Sequence, residues 1–99
     1  MRRVRIRLEA KKEIDAAFEW YFVRSPKAAD AFLEEIETSL SNIASEPHLY
    51  PIFTKNIRRR VMTGFPYSVI FKEQSDSILV LAIAHAKRRP GYWAKRLKQ

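Results

Sequence analysis

The chain opens on an alternation. Residues 3–8 read RVRIRL, with Val4, Ile6 and Leu8 separated by Arg3, Arg5 and Arg7. A period of two gives a strand one buried and one wet face. From Glu9 the period lengthens, and Ile14, Ala17, Phe18 and Tyr21 fall at i, i+3, i+4 and i+7, a single stripe of a helix ending near Val23. Ser25 followed by Pro26 signals a second start, because a serine can cap free amides and a proline loses nothing at the first helical position. Ala29, Phe32, Leu33, Ile36, Leu40 and Ile43 continue that stripe to about Ala44. The break at residues 23–25 is short, so the helices are read as an antiparallel hairpin whose joint apolar face is core.

Residues 45–56, SEPHLYPIFTKN, contain Pro47 and Pro51 and read as a loop. Three β-like segments follow at 57–62, 67–72 and 77–85, rich in Val, Ile, Phe and Tyr. Their connectors, TGFP at 63–66 and EQSDS at 73–77, are short enough for antiparallel hairpins. SILVLAIAH at 77–85 is apolar on both faces, which places it inside the sheet, with Leu81, Ile83 and His85 in one two-residue register. Pro90 and Gly91 end it, and YWAKRLKQ forms a short helix or an irregular tail. The expected fold class is α+β: an N-terminal strand and an antiparallel helical hairpin packed on a mainly antiparallel four-stranded sheet, one domain over residues 1–99.

Composition narrows the function. With 99 residues and no cysteine, disulfide frameworks, thiolate zinc sites and thiol nucleophiles are excluded. No apolar run approaches the ~20 residues of a membrane span, and MRRVRIRLEA lacks the apolar core of an export signal. A soluble cytoplasmic protein is expected. The formal charge of +8 and pI near 10.1 favour a polyanionic or acidic partner. With two glycines there is no phosphate-cradling loop, and neither HExxH nor GxSxG occurs, so neither metal nor cofactor is expected.

Several residues could carry chemistry. IRRRV sets Arg58 and Arg60 on one strand face and Arg59 on the other, either a preorganised anion site or a charged edge that resists aggregation. His85 ends an apolar strand, and Lys87, Arg88 and Arg89 follow it. Tyr92 and Trp93 either stack on a base or anchor the tail against the core. Metal-free RNA cleavage needs a base, phosphate-stabilising cations and an acid; His85, Arg58, Arg60 and Tyr92 are the available complement. Glu9, Glu13 and Asp15 read as the solvent side of the first helix, and Glu34, Glu35 and Glu37 as that of the second.

SPKAADAFLEEIETSLSNIASEPHLYP, RRRVMTGFPYSVIFK and ILVLAIAHAKRRPGYW occur in that order over nearly the whole chain. Together they resemble the RelE/ParE superfamily of bacterial toxins, closer to the ParE-like plasmid-stabilisation branch through SPKAAD, FPYSVIF and AHAKRRP. The resemblance implies the toxin of a type II toxin-antitoxin system, held in a hetero-oligomer with a cognate antitoxin. On the ParE side it implies growth arrest through DNA gyrase, with no catalytic set. On the RelE side it implies ribosome-dependent mRNA cleavage, with ribosome and mRNA as partners. Some ribosome-dependent members end the last strand in adjacent His and Tyr, whereas here Ala86 follows His85 and the nearest tyrosine, Tyr92, lies beyond Pro90 and Gly91. Target contact is therefore expected from Arg58, Arg60, Lys87, Arg88, Arg89, Tyr92 and Trp93.

Overall fold

The computed structural model describes residues 2–98. In chain order it contains β1 (Arg3–Ile6), α1 (Leu8–Arg24), α2 (Pro26–Ser45), a 3-10 turn (Pro47–Leu49), β2 (Ile52–Thr54), β3 (Ile57–Val61), β4 (Tyr67–Glu73), β5 (Ser77–His85) and a terminal 3-10 helix (Ala94–Lys98). The strands form one sheet in the order β1-β5-β4-β3-β2, with β1 parallel to β5 and the remaining pairs antiparallel. This is the expected α+β layering with one strand added. β2 lies in the segment read as a loop, because Pro51 and a length of three all-exposed residues leave no alternation to detect.

The start of the chain differs from its pattern at Leu8. The Arg7 amide makes the last bond to β5, onto the Val80 carbonyl at 3.0 Å, while the Arg7 carbonyl accepts the first helical bond from Lys11. Strand therefore passes into helix with no loop, and Leu8 is 63% exposed as a first helical residue instead of a buried strand position. The second helix starts as its residues dictate: Pro26 takes the first position and the Ser25 hydroxyl accepts from the Ala28 amide at 3.2 Å. Of its apolar stripe, Ala29, Phe32, Ile36 and Ile43 are buried, but Leu33 is exposed, because it stands at the flank of the line through Phe32 and Ile36.

Both faces of the sheet are covered, by different means. The helical hairpin packs Ala10, Ala17, Phe32, Ile36 and Ile43 against Val69, Phe71, Ile78, Val80 and Ile83. Phe32 is the hub, with ring centroids 5.5 Å from Tyr21 and Phe65 and 5.6 Å from Tyr67. Phe32, fully buried, contributes about 1.5–3 kcal/mol. On the opposite face Ile57, Ile70, Leu81 and Ala82 are covered by Trp93 of the C-terminal tail.

A β-bulge in β5 sets this division. Ile70 pairs with Ala82 but Phe71 pairs with Val80, leaving Leu81 as the extra residue. Leu81 and Ala82 consequently share the tail-side cluster, and Ile83 returns to the helix side. The simple two-residue register of Leu81, Ile83 and His85 is thus broken. His85 pairs with Tyr67 and its ring meets the Tyr67 ring edge-on at 4.9 Å.

Candidate functional site

β3 sends its three arginines in two directions. Arg58 and Arg60 pair with Phe71 and Val69 of β4, so they share the helix-covered face, whereas Arg59 pairs with Ile70 on the other. Arg60 donates to Glu35 Oε2 of α2 at 3.1 Å and to the Ser39 hydroxyl at 2.7 Å. Glu35 also accepts from the Thr63 amide at 2.7 Å, tying α2 to the β3–β4 turn. Arg58 donates to the Tyr50 carbonyl at 2.7 Å and lies 3.9 Å from Glu73, which also binds Arg2. Both guanidiniums are engaged by the protein itself.

The tail-side face differs in charge and in access. β4, β5 and the turn after His85 enclose a cleft of about 130 Å³, with Ile70, Ser68 and Ala84 on one side and Phe53, Tyr92 and Trp93 on the other. Its cations are Arg59, Arg88 and Arg89, and no carboxylate lines it. Arg88 lies 3.8 Å over the Tyr92 ring and Arg59 5.5 Å from that of Phe53, which in turn is 5.7 Å from Trp93. The cleft thus brings guanidinium groups and aromatic rings together on its lining. Lys87 is exposed beside it.

Gly91, at φ +79°, turns the chain at the mouth of the cleft, a conformation that disfavours side chains. The turn returns Trp93 to the sheet, where it is only 3% exposed. Its neighbour Tyr92 is fixed through its hydroxyl, which donates to Glu13 Oε2 of α1 at 2.6 Å. Burial, followed by that hydrogen bond and the carboxylate's charge, raises the Tyr92 phenol well above its ordinary value.

Glu13 does more than hold Tyr92. β1 pairs only with residues 77–80 of β5, leaving the edge beyond Val80 open. Glu13 Oε1 accepts from the Ile83 amide at 3.0 Å, and Arg96, itself bound to both Glu13 oxygens at 2.9 and 3.1 Å, donates to the Leu81 carbonyl at 3.0 Å. The ion pair supplies the acceptor and donor that a further strand would have supplied.

The four residues considered for acid/base work do not meet. Arg58 and Arg60 are held on the helix side by Tyr50, Glu35 and Ser39; His85 shares that side but packs its ring on Tyr67, and Tyr92 lies on the tail side, bound to Glu13. His85 Nδ1 accepts from the Lys87 amide at 3.0 Å. Lys87, Arg88 and Arg89 do gather with Tyr92 at one end of the sheet. Sequence reasoning passed over Glu13 and Glu35 as solvent-facing, yet position 13 falls between Ala10 and Ala17 on the buried stripe. Position 35 similarly stands between Phe32 and Ser39. That spacing was the available signal. Phe53 and Arg59 carried none, since the first lay in an apparent loop and the second in a run of three arginines.

The family model described as "ParE toxin of type II toxin-antitoxin system, parDE" matches residues 4–90, nearly the whole described chain. This chain belongs to the ParE toxin family. Within the ParE fold the match takes in both helices, β2 to β5 and β1 from Val4, and ends at Pro90, just before Gly91, Tyr92 and Trp93. A solved structure described as "Chromosomal ParDE TA system from P. aeruginosa" has the same fold, with a TM-score of 0.76 at 19% identity, covering 88% of this chain and 98% of that one. No curated protein matches the sequence significantly. Among the described residues no group of histidine and carboxylate side chains could hold a metal, and no helix is long and apolar enough to cross a membrane.

Proposed function

We propose that this ParE-family toxin arrests growth by inhibiting DNA gyrase and is neutralised by a cognate antitoxin. The observation that carries the reading is the family match over residues 4–90. Geometry supports a non-enzymatic action: Arg58 and Arg60 are engaged on the helix side, and the Tyr92 proton is committed to Glu13. Contact with the target then falls to the tail-side rim of Lys87, Arg88 and Arg89, whose side chains make no ion pair or hydrogen bond with the described protein.

A dedicated protein partner is supported by apolar surface left uncovered. Trp20, Phe22 and Val23 are 53%, 50% and 72% exposed near the tip of the helical hairpin, while Ile52 on β2 and Val61 at the end of β3 are exposed as well. Such surface is costly in an isolated domain and fits an antitoxin segment that orders as it binds. In a supercoiling assay the purified chain should inhibit gyrase, and addition of its antitoxin should restore activity. Unchanged supercoiling at stoichiometric excess of the chain would contradict the reading.

A further inference from the structure

We propose that the cleft beneath the C-terminal tail binds one unpaired nucleotide of a single-stranded nucleic acid, its base against the exposed Phe53 ring and its phosphate among Arg59, Arg88 and Arg89. This goes beyond inhibition of gyrase and does not depend on it.

Three observations point to this ligand class. First, the cleft has three guanidiniums and no carboxylate on its lining, so an anion entering it meets uncompensated positive charge. Second, Arg88 and Arg59 lie over Tyr92 and Phe53, and Phe53 is 40% exposed. The Tyr92 face is taken by Arg88, but the Phe53 ring is available beside the cations, and stacking on such a ring is how unpaired bases are held irrespective of sequence. Third, the volume of about 130 Å³ is below the roughly 300–1,000 Å³ of pockets that enclose a whole drug-sized ligand. It suits one planar ring, with the rest of the strand lying outside along Lys87 and Arg89. An acidic peptide would satisfy the cations but leave the aromatic wall unused.

The test is fluorescence anisotropy with a short labelled oligothymidylate at fixed salt, since bulk charge alone binds any polyanion. Replacing the bases by abasic sites, with every phosphate kept, should weaken binding about tenfold, as should Phe53→Ala, in line with the loss of base stacking. Arg88→Ala with Arg89→Ala should weaken it about tenfold or more. Arg3→Ala with Arg5→Ala removes the same charge from exposed positions on β1 and should change it about twofold or less. Binding of oligothymidylate or of its RNA counterpart supports the site, and the ratio of the two assigns the natural strand. Equal affinity for the abasic oligomer, equal loss in the β1 variant, or equally tight binding of polyglutamate would overturn the proposal. Loss of supercoiling inhibition is read separately, so failure of the gyrase reading leaves this result standing.

Discussion

The two faces of the sheet hold similar residues and use them oppositely. On the helix-covered face Arg58 and Arg60 are held by Glu73, Glu35, Ser39 and a backbone carbonyl, so their charge is spent on joining α2 and the 45–56 segment to the sheet. On the tail-covered face Arg59, Arg88 and Arg89 border a cleft without a carboxylate, the first two lying against aromatic rings. A guanidinium of β3 is engaged by carboxylate and carbonyl groups or left without counter-charge according to which side of the strand it leaves. The lesson is that cation density along a sequence does not show which cations the fold neutralises. The proposed nucleic-acid site follows the missing counter-charge instead.

The strongest way to break this comparison is to remove the residue that closes the tail-side face. Trp93→Ala should destabilise the fold by about 3–5 kcal/mol, as large-to-small changes at buried aromatic positions do, read as a shift in the urea midpoint. A midpoint near the unaltered value would mean that the tail is not packed on the sheet. Next, Arg60→Ala leaves Glu35 without its cation. With Arg60 and Glu35 still 12% and 14% exposed, the cost should be about 2 kcal/mol, under the roughly 3–5 of a fully buried pair. No loss of stability would place Arg60 among the free cations.

Tyr92→Phe gives a smaller effect and a pH signature. Loss of one hydrogen bond to a carboxylate should cost about 1.5–2 kcal/mol at neutral pH. The phenol's pKa is raised on folding, by burial first and then by Glu13, so the folded chain keeps a proton that the unfolded chain loses near pH 10. Stability from this group is complete below about pH 10 and declines as pH rises toward the folded value. Burial raises Tyr21 and Tyr67 as well, so the variant should retain an alkaline decline but with a shallower slope. An unchanged slope would show that Tyr92 does not differ between the folded and unfolded chain.

Much of the fold was legible because it rests on periodicity. The stripes of α1 and α2, the Ser25–Pro26 start and the hairpins around Gly64 and Ser75 each follow from local chemistry. What was not legible depends on tertiary partners. The bulge at Leu81 is invisible in a segment apolar on both faces, and it alone decides that Leu81 and Ile83 part company. β2 needs β3 beside it to exist as a strand. For the candidate site, the basic run 87–89 and the aromatic pair 92–93 were visible, but the face to which Arg58 and Arg60 belong was set by α2. Phe53 entered the cleft only through the β2–β3 hairpin.

The division between structural and functional cations is tested most directly by one paired measurement on the Arg88→Ala and Arg89→Ala double variant, growth arrest on induction together with the urea midpoint of the purified chain. Both side chains are exposed and make no ion pair or hydrogen bond, and Arg88 gives up only its stacking on Tyr92, so the stability read from the midpoint should stay within about 1 kcal/mol of the unaltered chain while growth arrest is lost. Full growth arrest with that charge removed would contradict the account.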